Sequence, residues 1–172
     1  MIVFETKRLR FQRFTETNFP DLKQMLGDPE VMYYYPAVLD EAGSRAWLER
    51  IFMRYEKYGT AFNAVTLKES GEFVGQMGLL DHDIPEVQNL EIGYMLARKH
   101  WGKGYASEGA RGCRDYAFSE LKQDKVISII DPRNEPSIRV AHANGMKLEK
   151  QIFIQKFNQV ENIYSVSRQD VS

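Results

Sequence analysis

The segment Trp101-Gly102-Lys103-Gly104-Tyr105-Ala106 has the residue types of an anion cradle. It follows the apolar run 90–96 and opens a helical pattern, so both glycines fall at a strand-to-helix turn. Glycine lets the backbone approach a phosphate closely. The first N–H groups of a helix lack intrahelical partners, and the helix dipole favours negative charge there. Two common nucleotide loops are excluded. A dinucleotide fingerprint needs a third glycine or alanine at 107, where Ser107 stands, and Gly-x-x-x-x-Gly-Lys-Ser/Thr is absent. The spacing alone also allows a tight turn that needs two glycines and binds nothing.

Few other side chains have the types and spacing for chemistry. Glu91 is the only acid in the run 90–96, opposite the face of Leu90, Ile92 and Tyr94. The loop Asp81-His82-Asp83-Ile84-Pro85-Glu86 carries three carboxylates, and Met32-Tyr33-Tyr34-Tyr35-Pro36 is an aromatic run. His82, His100 and His142 show no metal-ligand spacing, so no metal is expected. The single cysteine, Cys113, excludes an intrachain disulfide and a Cys-based zinc site. It falls on an apolar helical stripe and reads as core.

The elements that must position these residues follow from periodicity. Residues 8–14 alternate as a strand with one buried face. Residues 17–25 read as a short helix capped by Thr17, with Pro20 in its first turn. Residues 40–58 form a helix capped by Asp40 and stopped at Gly59, with Trp47, Ile51, Tyr55 and Tyr58 on one stripe. Runs 61–68 and 73–80 are strands around a turn at 69–72. In the strand 90–96, Gly93 predicts a bulge or a close backbone approach. Residues 104–121 are a helix whose stripe of Ala106, Ala110, Cys113, Ala117 and Leu121 predicts tight packing on a sheet. Its other face offers Glu108, Arg111 and Asp115 as intrahelical pairs. Residues 125–130 are a buried strand, 134–144 a helix capped by Asn134, and 151–157 with 163–168 a hairpin around Asn158-Gln159. The order β-α-α-β-β-β-α-β-α-β-β predicts an α/β (α+β) fold: a mixed sheet of seven strands with four helices packed on it.

Length and composition agree. A chain of 172 residues fits a single domain, 1–172. Hydrophobic residues at 43% and charged residues at 27% exclude a disordered or low-complexity chain. A formal net charge of −1 argues against nucleic acid as a partner. No run approaches a membrane span, so a soluble, cytoplasmic protein without a membrane partner is expected.

The residues also resemble a family. Lys99-His100-Trp101-Gly102-Lys103-Gly104 is similar to the Arg/Gln-x-x-Gly-x-Gly/Ala pyrophosphate loop of the GNAT superfamily of acetyl-CoA-dependent N-acetyltransferases, with Lys99 in the first position. Thr6-Lys7-Arg8-Leu9-Arg10, Asp28-Pro29-Glu30-Val31-Met32, Gly75-Gln76-Met77-Gly78-Leu79, Glu91-Ile92-Gly93-Tyr94 and Asp131-Pro132-x-Asn134-x-x-Ser137 resemble, in order, segments of its Rim-type branch, which acetylates ribosomal-protein N-termini. The resemblance implies the GNAT sheet, mostly antiparallel, and acetyl-CoA as co-substrate. It implies that the main chain of Tyr94, Met95 and Leu96 pairs with the pantetheine arm. Lys99, Trp101 and the amides of Gly102, Lys103, Gly104, Tyr105 and Ala106 would serve the pyrophosphate, and Asn134 and Ser137 the pantetheine and the thioester sulfur. Glu91 matches a catalytic carboxylate that accepts the amine's proton. Tyr33 and Tyr34, with Asp81 and Asp83, would border the acceptor. The Tyr that many members use as an acid falls at Ala141, which leaves Ser137, a water or no acid at all.

Three readings follow. The first is an N-acetyltransferase acting on a primary amine: a protein or peptide N-terminus or a small molecule. The second is a catalytically inactive CoA-binding sensor or interaction module. The third, a nucleotide-binding module, leaves Glu91 and Asn134 without a role. A homodimer is compatible with all three.

Overall fold

The computed structural model describes residues 1–171, which build one eight-stranded sheet in the order β1-β2-β3-β4-β5-β6-β8-β7. The elements are β1 (Ile2–Glu5), β2 (Leu9–Arg13), α1 (Phe19–Leu26), α2 (Glu41–Tyr58), β3 (Phe62–Leu67), β4 (Phe73–Leu80), β5 (Glu91–Leu96), α3 (Tyr105–Ser119), β6 (Lys125–Ile130), α4 (Glu135–Ala143), β7 (Lys147–Ile154), β8 (Gln159–Ser167) and a terminal turn, α5 (Arg168–Val171). Every strand pair is antiparallel except β5 with β6.

Apolar residues cover both faces of the sheet. On one face the α3 stripe of Ala110, Cys113 and Ala117 packs with Leu9, Phe11, Val65, Val74, Ile92 and Val126. On the other, Leu22 and Leu26 of α1 and Leu48 and Ile51 of α2 pack with Ala64, Phe73 and Met95. Burying one such Leu or Ile side chain is worth about 1.5–3 kcal/mol. Asp40 caps α2 by accepting from the Gly43 amide at 2.7 Å, and Gly59 ends it at φ +77°.

The additional strand is β1. Its single inward anchor is Phe4, stacked on Phe11 at 4.1 Å and on Tyr116 at 4.9 Å, so no alternation marks it in the sequence. The closing hairpin is longer than its apolar runs, because β7 is exposed along most of its length. Its turn lies where expected, with Asn158 at φ +52°. The first helix starts at Phe19, capped by Asn18; a 3-10 turn at Glu16–Asn18 precedes it, so Thr17 is not the cap. Gly93 is a close approach: a Cβ there would lie 2.9 Å from the Phe62 ring.

β4 is pressed between β3 and β5 at two glycines. A Cβ on Gly75 would lie 2.2 Å from the Met95 carbonyl oxygen, and one on Gly78 2.2 Å from that of Ala61. Backbone cannot swing aside as a side chain can. We expect Gly75→Ala to cost about 1–3 kcal/mol, the scale of overpacking, read as a lower urea midpoint. A midpoint equal to wild type would mean that β4 and β5 part without cost.

Candidate active site

The parallel strands β5 and β6 form one ladder pair, Glu91 with Ile127. The Ile127 amide donates to the Leu90 carbonyl at 3.0 Å, and Ser128 Oγ to the Ile92 carbonyl at 2.9 Å. No further β5–β6 pair forms among the described residues, so the strands open into a V with Glu91 at its apex. β4 pairs with β5 from Leu80–Glu91 to Gly75–Leu96, which holds the Tyr94–Leu96 edge rigid beside the gap. The Tyr94 hydroxyl crosses to α4 and donates to the Ser137 carbonyl at 2.8 Å. Burial pushes that phenol's pKa up.

The glycine loop lies at the C-terminal end of β5. Gly102 and Gly104 are left-handed at φ +73° and +80°, a conformation that costs glycine nothing. Gly104 caps α3 without any side-chain bond, so the first amides of α3 are left to an anion. Arg8 braces the loop from outside. Its Nη1 donates to the Lys103 carbonyl at 3.0 Å, its guanidinium lies 4.4 Å from the Tyr105 ring centroid, and its Nε meets Glu108 at 2.6 Å. Glu108 also accepts from Thr6 Oγ1 at 2.6 Å and from the Arg8 amide at 2.7 Å. Trp101 donates Nε1–H to the Leu96 carbonyl at 3.0 Å. Lys99 is paired with Glu72, so its ammonium is already engaged. His100, 3% exposed, has neither ring nitrogen hydrogen-bonded, and burial lowers its pKa.

Asn134 caps α4 through its Oδ1, which accepts from the Ser137 amide at 3.2 Å. At the apex the Glu91 carboxylate makes a short hydrogen bond with His82 Nε2, and both side chains are largely buried. Around them stand Tyr35, Glu161 and Asp131. Tyr35 is pushed up to about 12 by desolvation first, then by Glu91 and Glu161. The residue is 41% exposed overall, so the shift belongs to its enclosed hydroxyl end. Glu161, 5% exposed, is hydrogen-bonded by Gln159; burial raises its pKa, and Asp131 and Glu91 push the same way. Asp131 is paired with Arg133 at 2.7 Å. Tyr34 straps this corner by donating to the Arg133 carbonyl at 3.1 Å. A separate surface groove lies between β1 and α3 over Phe4, Gly112 and Tyr116. It joins no base to an anion site, so the V between β5 and β6 is the candidate site.

Comparison with known proteins agrees with this geometry. The pattern that defines the acetyltransferase (GNAT) domain matches residues 8–147. The chain belongs to the GNAT family. It is an acetyltransferase. It is 39% identical over 160 residues to YkkB of Bacillus subtilis strain 168, an uncharacterized protein, covering 92% of each chain. The crystal structure of a GNAT-family acetyltransferase from Bacillus anthracis superposes with a TM-score of 0.83 at 25% identity, over 98% of this chain and 99% of that one. RimL, a ribosomal L7/L12 alpha-N-protein acetyltransferase solved with coenzyme A, superposes at 0.79 over 97% and 98% at 15% identity, which is a likeness of fold.

Within this GNAT chain the expected residues are only partly brought together. Glu91 and Tyr94–Leu96 lie on β5, the glycine loop follows its C-terminal end, and Ser137, with its capping Asn134, is tied to β5 through the Tyr94 hydroxyl. Other expected residues stand apart from this group. Asp83 turns outward to Lys57 at 2.7 Å and Tyr58 at 2.8 Å, and Asp81 is exposed, its carbonyl held by Arg54 at 2.6 Å. Tyr33 is 74% exposed, packed edge-on against Tyr34. The acidic groups at the apex are instead Glu91, Glu161 and Asp131. Glu108 and Asp115 do not pair with Arg111: Glu108 serves Arg8, and Asp115 pairs with Arg114. Sequence reasoning missed His82, Glu161 and Arg8. Only His82 left a signal, as the inward member of an otherwise acidic turn continuing β4. No helix is long and apolar enough to cross a membrane among the described residues.

Proposed function

We propose that the protein transfers an acetyl group from acetyl-CoA to a primary amine by direct attack on the thioester, with Glu91 as general base. One observation carries this reading: Glu91 stands at the apex of a gap whose open end carries a helix N-terminus without a side-chain cap. The residues fit the co-substrate. Amides of residues 102–106 would hold its pyrophosphate, the Tyr94–Leu96 edge its extended arm, and Asn134 and Ser137 would flank the sulfur end. Bound there, acetyl-CoA supplies an activated acetyl carbonyl. The acceptor amine must lose its ammonium proton before attack, and Glu91 is in reach of the apex to take it. The departing thiolate takes a proton from water or from the Ser137 hydroxyl.

The same corner favours a cationic acceptor. Glu91 and Glu161 are both acidic, and Asp131 offsets Arg133, so an entering ammonium meets a field of opposite sign. A protein or peptide N-terminus and a small-molecule amine both satisfy this, as ribosomal-protein N-termini would.

Acetyl-CoA should raise the melting temperature by mass action. Gly104→Asp should remove most of that rise, because it sets a carboxylate among amides suited to an anion. No rise for wild type at millimolar acetyl-CoA would end this reading. Glu91→Gln should lower kcat about 10²-fold or more at neutral pH, the scale of general-base catalysis, with the acetyl-CoA-induced rise retained. Unchanged turnover would assign Glu91 to structure. Glu161→Gln should raise KM for a cationic amine several-fold and leave the acetyl-CoA KM as it is. An unchanged acceptor KM would remove Glu161 from the acceptor wall.

A further inference from the structure

The contact between His82 and Glu91 has no counterpart among the roles assigned so far. His82 stands two residues beyond the end of β4, and its ring is 8% exposed. Its neighbours Asp81 and Asp83 point outward, so the turn continues the strand alternation for three more residues. That turn is held from several sides. Arg54 of α2 donates to the Asp81 carbonyl at 2.6 Å, and Lys57 and Tyr58 fix Asp83. Ile84 and Val87 are buried in a small core with Ile127, Ile154 and Ile163. The imidazole is therefore delivered to Glu91 by a rigid turn.

What Glu91 faces explains the need for such a donor. Tyr35 comes from the loop between α1 and α2, Tyr94 from β5, and Glu161 from β8, with Asp131 at the end of β6 acting on Glu161. Arg133, the cation that acts on Glu161, is itself paired with Asp131, and Glu161 is a second carboxyl group beside Glu91. A general base accepts a proton only from its ionised form. A hydrogen bond donated to a carboxylate favours its ionised form. Against an ionised carboxylate, His82 Nε2 must carry the hydrogen. The bond engages Oε2, which leaves Oε1 to accept the acceptor's proton.

We propose that His82 is a positioning residue for acetyl transfer: its Nε2–H keeps Glu91 ionised and turned toward the acceptor. This rests on Glu91 being the base, and the arms of the test separate the two ideas. The pH profile of kcat/KM for the amine is measured for wild type, His82→Ala, His82→Gln and Glu91→Gln. Loss of the donor should move the acidic limb of His82→Ala upward by about one pH unit, since one hydrogen bond to the charged form is removed. Its acetyl-CoA KM should not change. His82→Gln presents an Nε2–H from nearly the same position and should restore the wild-type limb. An acidic limb of His82→Ala equal to wild type, or a His82→Gln limb displaced as far as that of His82→Ala, would reduce His82 to packing. Full turnover in Glu91→Gln would instead remove the base itself. The wild-type protein gives an independent check that needs no folded variant. Nitrogen-15 NMR at neutral pH should show the His82 ring hydrogen on Nε2, and a hydrogen found on Nδ1 alone overturns the proposal.

Discussion

Two parallel strands that meet at one residue pair and then part determine most of what this molecule can do. An interior strand is normally satisfied on both edges. Here β5 is fully laddered to β4, while its other edge keeps a partner only at Glu91. The Ser128 hydroxyl, bonded to the Ile92 carbonyl, is the last direct tie from β6 before the strands separate. The gap stays open because its walls are fixed independently. Gly75 and Gly78 let β3, β4 and β5 sit closer than any side chain would allow. On the far side β6 is locked into a six-pair ladder with β8. A narrow slot with peptide groups along one wall is suited to an extended, hydrogen-bonding molecule, as added strands are.

The slot is electrostatically polarised along its length. Its open end is the amino terminus of α3, where partial positive charge gathers on amides without side-chain caps. Its closed end carries Glu91 and Glu161, with the phenols of Tyr35 and Tyr94 nearby and Arg133 offset by Asp131. A molecule anionic at one end would therefore enter in one orientation, and a cationic partner would meet it from the opposite side. This separation arises from the fold and two or three side chains, in a chain whose net charge is only −1. That is why composition alone carries no sign of it.

Much of the architecture was legible because it follows from local rules. Asp40 and Gly59 bound α2, the small stripe Ala110-Cys113-Ala117 lies on the sheet, and two glycines open α3 in left-handed conformations. What escaped the sequence depends on distant contacts. β1 is held by one ring, Phe4, and β7 has no buried alternation, so neither leaves a period-2 pattern. At the site, the glycine loop and Glu91 could be read from position on a turn and a strand. Glu161 could not, because its burial arises only when β8 folds back along β6. For Asp83 an acidic turn reads alike whether it faces a cleft or a neighbouring helix; in the fold the Lys57 ammonium and the Tyr58 hydroxyl of α2 engage it.

The brace formed by Arg8, Glu108 and Lys103 spans sequence separations of 95 to 100 residues. Joining residues that far apart costs more chain entropy than closing a hairpin, so the brace depends on the first strands and the middle of the protein being brought together. A growing polypeptide carries both glycines of the loop well before the second half of the sheet exists to support the slot they serve. The anion cradle is thus a property of the finished molecule. A partly folded chain would own the motif but not the grip, and would draw no premature hold from an abundant phosphorylated metabolite.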